Sequence, residues 1–540
     1  MKSGAVLTRL RPLAVTPRDL PGLLAGLLIG APLLAALLTG LFAGGGDAWR
    51  HIVATGLFEY SFGTLATLAL TAALILLTAV PAAWLVTMYA FPGRGLFEWL
   101  LILPLAAPGY VLAFAYADLM NVAGPLQAAL REATGLGARD YWFPDINSLP
   151  GLAFVLAGAL YPYVYLTARA AFTTTSVCAL DAARTLGAGP RRLFLSVAIP
   201  AARPAIAAGL ALALMEAAAD YGAAAFLGVQ TLTVGLVKAW SSFGDAGAAA
   251  RMALILLAIA LLLQAIERIE RGDAGSEATS KRWQAIERQT LTGYRAIAAA
   301  GFCLAIFAWG FAVPILRLVW LAVETGTPGA SISDALVNSI LLAAVAAVIG
   351  FLLGLVIALG VHTRRPGARF ARIAAAGGYA VPGAVLALGG LIVLDQLGLG
   401  LVGPVALIAL VWIYVSRFTA AGAQPMEAAL ARAPASMGQA ARSLGAAPMR
   451  RVREVDLPVA LSGALVGGLI LFVEILKELP ATLMLRPFNW DTLAVRAYAY
   501  ASDERLAAAA LPCLLITGAG LAPVVFLSWR LSRARPGSAQ

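Results

Sequence analysis

Twelve stretches of this chain are long and apolar enough to cross a lipid bilayer, and that count constrains the fold more than any other feature. A span needs about 20 predominantly apolar residues. Such stretches run near 20–44, 58–89, 96–118, 150–172, 203–229 and 250–266, then 294–322, 333–362, 371–395, 399–423, 460–485 and 506–529. Of the 540 residues 61% are hydrophobic and 12% charged, where a soluble protein carries about 25% charged. Lipid rather than water therefore solvates most of the surface, and the expected fold is an all-α polytopic membrane protein. The first stretch is too long for a secretory leader and lacks a small-residue cleavage site, so it reads as a retained span.

The net charge of +11 would suit a nucleic-acid partner, but the placement of the charge excludes that class. Most of the arginines sit in short segments between apolar stretches, concentrated on the side where both termini would lie. That asymmetry is the topology signal of a membrane protein and puts both termini in the cytoplasm. Cys178, Cys303 and Cys513 are isolated, and His51 and His362 are the two histidines, so no disulfide framework, zinc spacing or resident metal set is expected.

A stretch of twenty residues occurs twice. Asp181 to Pro200 and Gln439 to Pro458 match at an offset of 258 without a gap, with ten identical positions. A repeat of this length marks a duplicated structural unit. Pro92-Gly93 and Pro108-Gly109 recur as Pro366-Gly367 and Pro382-Gly383 at an offset of 274. The change of offset places an insertion of 16 residues in the first half, most simply in the external stretch 121–150 with Trp142 and Phe143. The chain thus divides into a first six-span half over 1–266, a cytoplasmic linker of mixed charge over 267–293, and a second six-span half over 294–540, related by a pseudo-twofold.

Each repeat falls in a cytoplasmic loop, 173–200 in the first half and 425–458 in the second. Its local reading is helix, tight turn, helix. Asp181 and Gln439 suit the first turn of a short helix, where an acceptor meets free N–H groups, and Ser436 with Gln439 forms a capping box. Gly187 and Gly445 fit the left-handed residue that ends a helix. Pro190 and Pro448 fit the start of the next one. Matched loops on a pseudo-twofold protein suit a dimeric soluble partner.

Asp181-Ala182-Ala183, three residues, Gly187, then twelve residues to Pro200 resembles the hallmark loop of permease subunits in binding-protein-dependent ABC importers. Gln439-Ala440-Ala441 with Gly445 and Pro458 resembles it again, Asp and Gln standing where that pattern has Glu. The resemblance covers essentially the whole chain. It implies that the loops dock into a cytoplasmic ABC ATPase dimer whose ATP-driven closure rocks the two halves, and that a periplasmic substrate-binding protein delivers the substrate to a bacterial inner-membrane permease. No Lys stands in a G-x-x-x-x-G-K-[ST] context, so the chain is expected to bind no nucleotide or other cofactor and to be no enzyme, the ATP being used by the partner.

Within the spans, Glu216 and Asp220 correspond at the 258 offset to Glu474 and Glu478. Spacing of i, i+4 would put each pair on one helix face, and ionisable groups at membrane depth are functional candidates by default. The bland alternative is an ion pair, Glu474 with Lys477, which the first half cannot copy because position 219 is Ala. With Tyr221 these four carboxylates form a candidate substrate pathway, suited to a hard cation. Asp220-Tyr221-Gly222, Leu227-Gly228-Val229, Lys477-Glu478-Leu479-Pro480-Ala481-Thr482 and Asp491-Thr492-Leu493-Ala494-Val495 resemble the fused ferric iron permeases of the superfamily. Thiamine permeases are the next resemblance. Sulfate and polyamine permeases share the loop but are usually unfused. A secondary transporter would also show two similar halves, but it has no use for the repeated loop. A membrane enzyme would need a metal or nucleophile constellation such as H-E-x-x-H, which is absent.

Overall fold

The computed structural model describes residues 17–44, 46–174, 183, 185–271, 288–325 and 330–533. Among them, nine helices have the length and apolarity to cross a membrane, and three more spans form if each bent helix pair is taken together. Among the described residues the protein is all-α apart from one parallel bridge of two residues, Tyr89–Ala90 with Gln289–Thr290. That bridge ties the end of the linker to the first half. Residues 272–287 of the linker lie outside the described residues.

Two of the expected spans are broken by more than 90°. Arg94–Ala106 and Gly109–Thr134 meet at 96°, and Pro366–Ala380 and Gly383–Gln396 meet at 117°. The breaks fall at the repeated Pro-Gly pairs. A proline drives the residue before it out of the α region, and Ala107 (φ −103°, ψ 123°) and Val381 (φ −105°, ψ 142°) are extended. Pro108 and Pro382 then cap the second helix of each pair. The expected span 460–485 is likewise divided, Pro448–Leu461 meeting Ala464–Leu476 at 56°. The span expected over 203–229 stops at Ala219, and a separate short helix, Gly222–Phe226, follows.

The first helix of each half packs on the other half, which the sequence did not suggest. Leu20–Phe42 crosses Pro366–Ala380 so closely that a β-carbon on Gly22 would stand 2.5 Å from Ala368 N. It also meets Gly383–Gln396 at Gly389, where a β-carbon would stand 1.8 Å from the Pro32 carbonyl. Only glycine permits such backbone approach, and in lipid close packing of small residues replaces the hydrophobic drive. The reciprocal strap is the helix after the linker. Tyr116 Oη donates to the Trp309 carbonyl at 2.5 Å, Trp309 stacks on Tyr161, and Arg317 pairs with Asp118. Each half thus clamps the other around a shared core that draws buried residues from both, among them Leu112, Leu156, Leu410 and Ile475.

Candidate functional site

The repeated loops adopt one backbone design. Gly187 and Gly445 have φ of +80° and +78°. Ala188 N donates to the Ala183 carbonyl at 2.9 Å, and Ala446 N to the Ala441 carbonyl at 3.0 Å, the bond that closes a left-handed helix end. Pro190 and Pro448 each begin the next helix. A five-residue π-helix then follows in both copies, Phe194–Ala198 and Val452–Asp456. The motif prolines Pro200 and Pro458 explain it. Each lacks an N–H and crowds the carbonyl four residues back, Ser196 or Glu454, and a π turn absorbs that misfit. Asp181 and Ala182 lie outside the described residues.

In the second copy, Ala440 is exposed and Ala441 half-buried in the helix Ala435–Ser443. The Ser436–Gln439 capping box does not form. Pro434 (φ −59°, ψ 133°) sets the helix start at Ala435, with no side-chain cap. Ser436 and Gln439 therefore lie inside the helix, and Gln439 falls beyond its first turn. What both loops present is a leucine: Leu186 and Leu444 occupy equivalent positions and are 87% and 86% exposed.

Glu216, Asp220, Tyr221, Glu474 and Glu478 line one cavity of about 130 Å³ at the ends of the broken helices, together with Tyr110, Arg417 and Lys477. The carboxylates differ in what they do there. Glu478 is buried and fully occupied. It accepts from Arg417 Nη1 at 3.1 Å, Ala481 N at 3.0 Å, and Thr482 N and Oγ1 at 3.1 and 2.9 Å. Asp220 Oδ1 accepts from Ala223 N at 2.8 Å and Ala224 N at 3.3 Å. Both residues cap the short helix that follows them, Gly222–Phe226 or Pro480–Leu485.

The i, i+4 reading is thereby corrected. Each helix ends before its second carboxylate, at Ala219 and Leu476, so the pairs do not share a helical face. Gly109 and Gly383 make room for the caps. A β-carbon would stand 3.1 Å from Asp220 Oδ2 at the first and 2.3 Å from Glu478 Oε1 at the second.

Glu474 pairs with Lys477 at 2.8 Å, as the bland alternative had it. Among the described residues Glu216 has no hydrogen-bond or ion-pair partner within reach, although it lines the cavity and a smaller adjoining one beside Tyr379 and Arg417. Tyr221 packs its ring against Tyr498. Arg417 is the residue that sequence reasoning missed, although a lone arginine inside the apolar stretch 399–423 was a usable signal. At the 258 offset its counterpart is Ala159, and that of Lys477 is Ala219. All four positions line the cavity. The second half therefore neutralises both of its carboxylates and the first half neutralises neither. Four carboxylates and two cations thus line the cavity, and Glu216 and Asp220 are the carboxylates without a cation from their own half. Among the described residues no three His, Cys, Asp or Glu side chains converge closely enough to hold a metal ion.

The family described as "Binding-protein-dependent transport system inner membrane component" matches residues 79–269. The Fe(3+)-transport system permease protein FbpB 2 of Haemophilus influenzae is 23% identical over 81% of this chain and 83% of its own length. A probable ABC transporter permease protein, y4fN of Sinorhizobium fredii, is 25% identical over 87% of each chain. The molybdenum transport system permease protein ModB of Escherichia coli is 30% identical over 206 residues, which is 86% of that protein but 36% of this one. A whole permease of that kind thus matches about as much of this chain as one repeat unit provides. The chain belongs to the family of binding-protein-dependent transport system inner membrane components, the multi-pass permease subunits of ABC transporters.

Proposed function

We infer that this chain is a permease subunit of an ATP-driven importer of ferric iron. The observation that carries the reading is coverage: the relative named for Fe(3+) transport matches across both halves, whereas the molybdenum relative matches about a third of the chain. The central cavity supports it, because its excess of carboxylate over cation favours a cationic solute. In this reading both termini are cytoplasmic. A binding protein delivers iron on the opposite face, where a cavity of about 600 Å³ lies between the halves beside Asp118, Arg317 and Glu504. A dimeric ATPase takes the two repeated loops, with Leu186 and Leu444 as apolar anchors.

The geometry supports one assignment of roles within the pathway. Glu216 and Asp220 supply the attracting field, Glu474 and Lys477 form a balanced pair, and Glu478 holds Arg417 and the cavity's frame. Uptake of labelled ferric iron against thiamine, in vesicles containing chain, ATPase and binding protein, tests the substrate. Uptake of thiamine but not iron overturns it. Glu216→Gln keeps the shape and removes one charge, and it is expected to slow ferric uptake about tenfold, the effect of some 1.4 kcal/mol of lost attraction. Glu474→Gln with Lys477→Met, which removes a neutral pair, is expected to slow it far less. Equal rates for wild type and Glu216→Gln would count against a pathway through this cavity. The purified chain alone is expected to hydrolyse no ATP, and activity in a preparation free of the ATPase subunit would refute the division of labour.

A further inference from the structure

The two repeated loops are fastened to their spans by different chemistry. In the second half, Asp456 lies in the π turn with its side chain 4% exposed, 3.1 Å from Arg451 Nη2 and 3.7 Å from His362 Nε2. His362 is the last residue of the long helix Ala330–His362. The guanidinium of Arg451 packs over Gly438 of the loop helix, where a β-carbon would stand 3.5 Å from its central carbon. Arg451 and Asp456 thus stand between the loop helix, which Arg451 meets at Gly438, and the end of a membrane span at His362.

In the first half the equivalent positions are Leu193, Ala198 and Met88, by the 258 and 274 offsets. All three are buried in one apolar cluster. Exchange of a buried ion set for apolar residues of matching fit is tolerated in general, whereas removal of one ion leaves its partners buried and unbalanced.

We propose that Asp456 is a positioning residue that fixes the angle of the second loop through Arg451 and His362, so that loop motion reaches the second half through charge and the first half through apolar packing. The proposal rests on the reading of the loops as ATPase-docking elements. Asp456 touches neither solute nor nucleotide, and its effect appears in the yield of transport per ATP.

The test uses the full importer in vesicles and reads ferric uptake per ATP hydrolysed, with retained ATPase measured alongside. Asp456→Asn, which preserves shape, is expected to lower that ratio about fivefold or more while the ATPase stays bound. Transplanting the first half's set, His362→Met with Arg451→Leu and Asp456→Ala, is expected to restore most of it. As a control, Arg450→Ala removes the exposed Arg450–Glu454 pair in the same turn and is expected to leave the ratio unchanged. An unchanged ratio in Asp456→Asn overturns the proposal, and so does a triple variant no better than Asp456→Asn. A wild-type chain that fails to retain the ATPase refutes the docking reading instead, and the inference with it.

Discussion

Replacing Glu478 with alanine is expected to remove most of the correctly folded protein from the membrane. The change strips Arg417, a buried cation, of its carboxylate and leaves the first N–H groups of the short helix Pro480–Leu485 without their acceptor. Breaking a buried ion pair by deleting one partner costs about 3–5 kcal/mol, a large share of the 5–15 kcal/mol by which proteins are typically stable. Arg417→Met in the same chain removes the orphaned charge. The double variant is therefore expected to accumulate well above Glu478→Ala, short of wild type by about 1 kcal/mol for the lost cap. Detergent-extracted yield and thermal unfolding of wild type, Glu478→Ala, Arg417→Met and the double variant give the coupling directly. If Glu478→Ala matches wild type, the carboxylate is not the frame of the cavity. If the double variant is no better than the single one, Arg417 is not its partner. Asp220→Ala, which loses a cap but strands no cation, is expected to be the milder change of the two.

That contrast also explains what was legible in the sequence. The repeat glycines and prolines announced their backbone roles because those roles are set within a few residues: a left-handed helix end at Gly187 and Gly445, a helix start at Pro190 and Pro448. The Pro-Gly pairs at 108–109 and 382–383 were visible as a repeat, but the sharp breaks they cause were not, because hydropathy runs on across them. The clamp of each first helix on the opposite half has no local signature at all. It depends on which surfaces meet, at Gly22 and Gly389 on one side and Trp309 on the other. Asp220 and Glu478 were misplaced on a helical face because i, i+4 spacing presumes that the helix continues. The same carboxylates end one helix and start the next, a choice decided by the backbone break. Arg417 was readable as an expensive charge in an apolar stretch, yet its partner lay 61 residues away, beyond any periodic pattern.

A second large effect is expected at the loops. Valine at position 187 or 445 must adopt φ near +80°, where its branched β-carbon meets the backbone. Nothing lies within 4 Å of a β-carbon at either site, so the strain is purely conformational and amounts to about 1 kcal/mol or more per site. The loop can relieve it by unwinding the helix end that carries Leu186 or Leu444. Insertion of the spans should be untouched, because neither loop contributes to the shared core. Transport should fall steeply, since both anchors lose their aim at once in the Gly187→Val, Gly445→Val protein. We expect ferric uptake at least tenfold below wild type, with ATPase retention reduced and binding-protein capture on the opposite face intact. Asparagine enters the left-handed region at lower cost, so the matching Gly→Asn protein should keep more activity than the valine one. The order wild type, asparagine, valine in uptake identifies backbone conformation as the cause, because asparagine and valine differ little in bulk. Wild-type uptake in the double valine protein would show that these loops do not transmit the force of ATP hydrolysis.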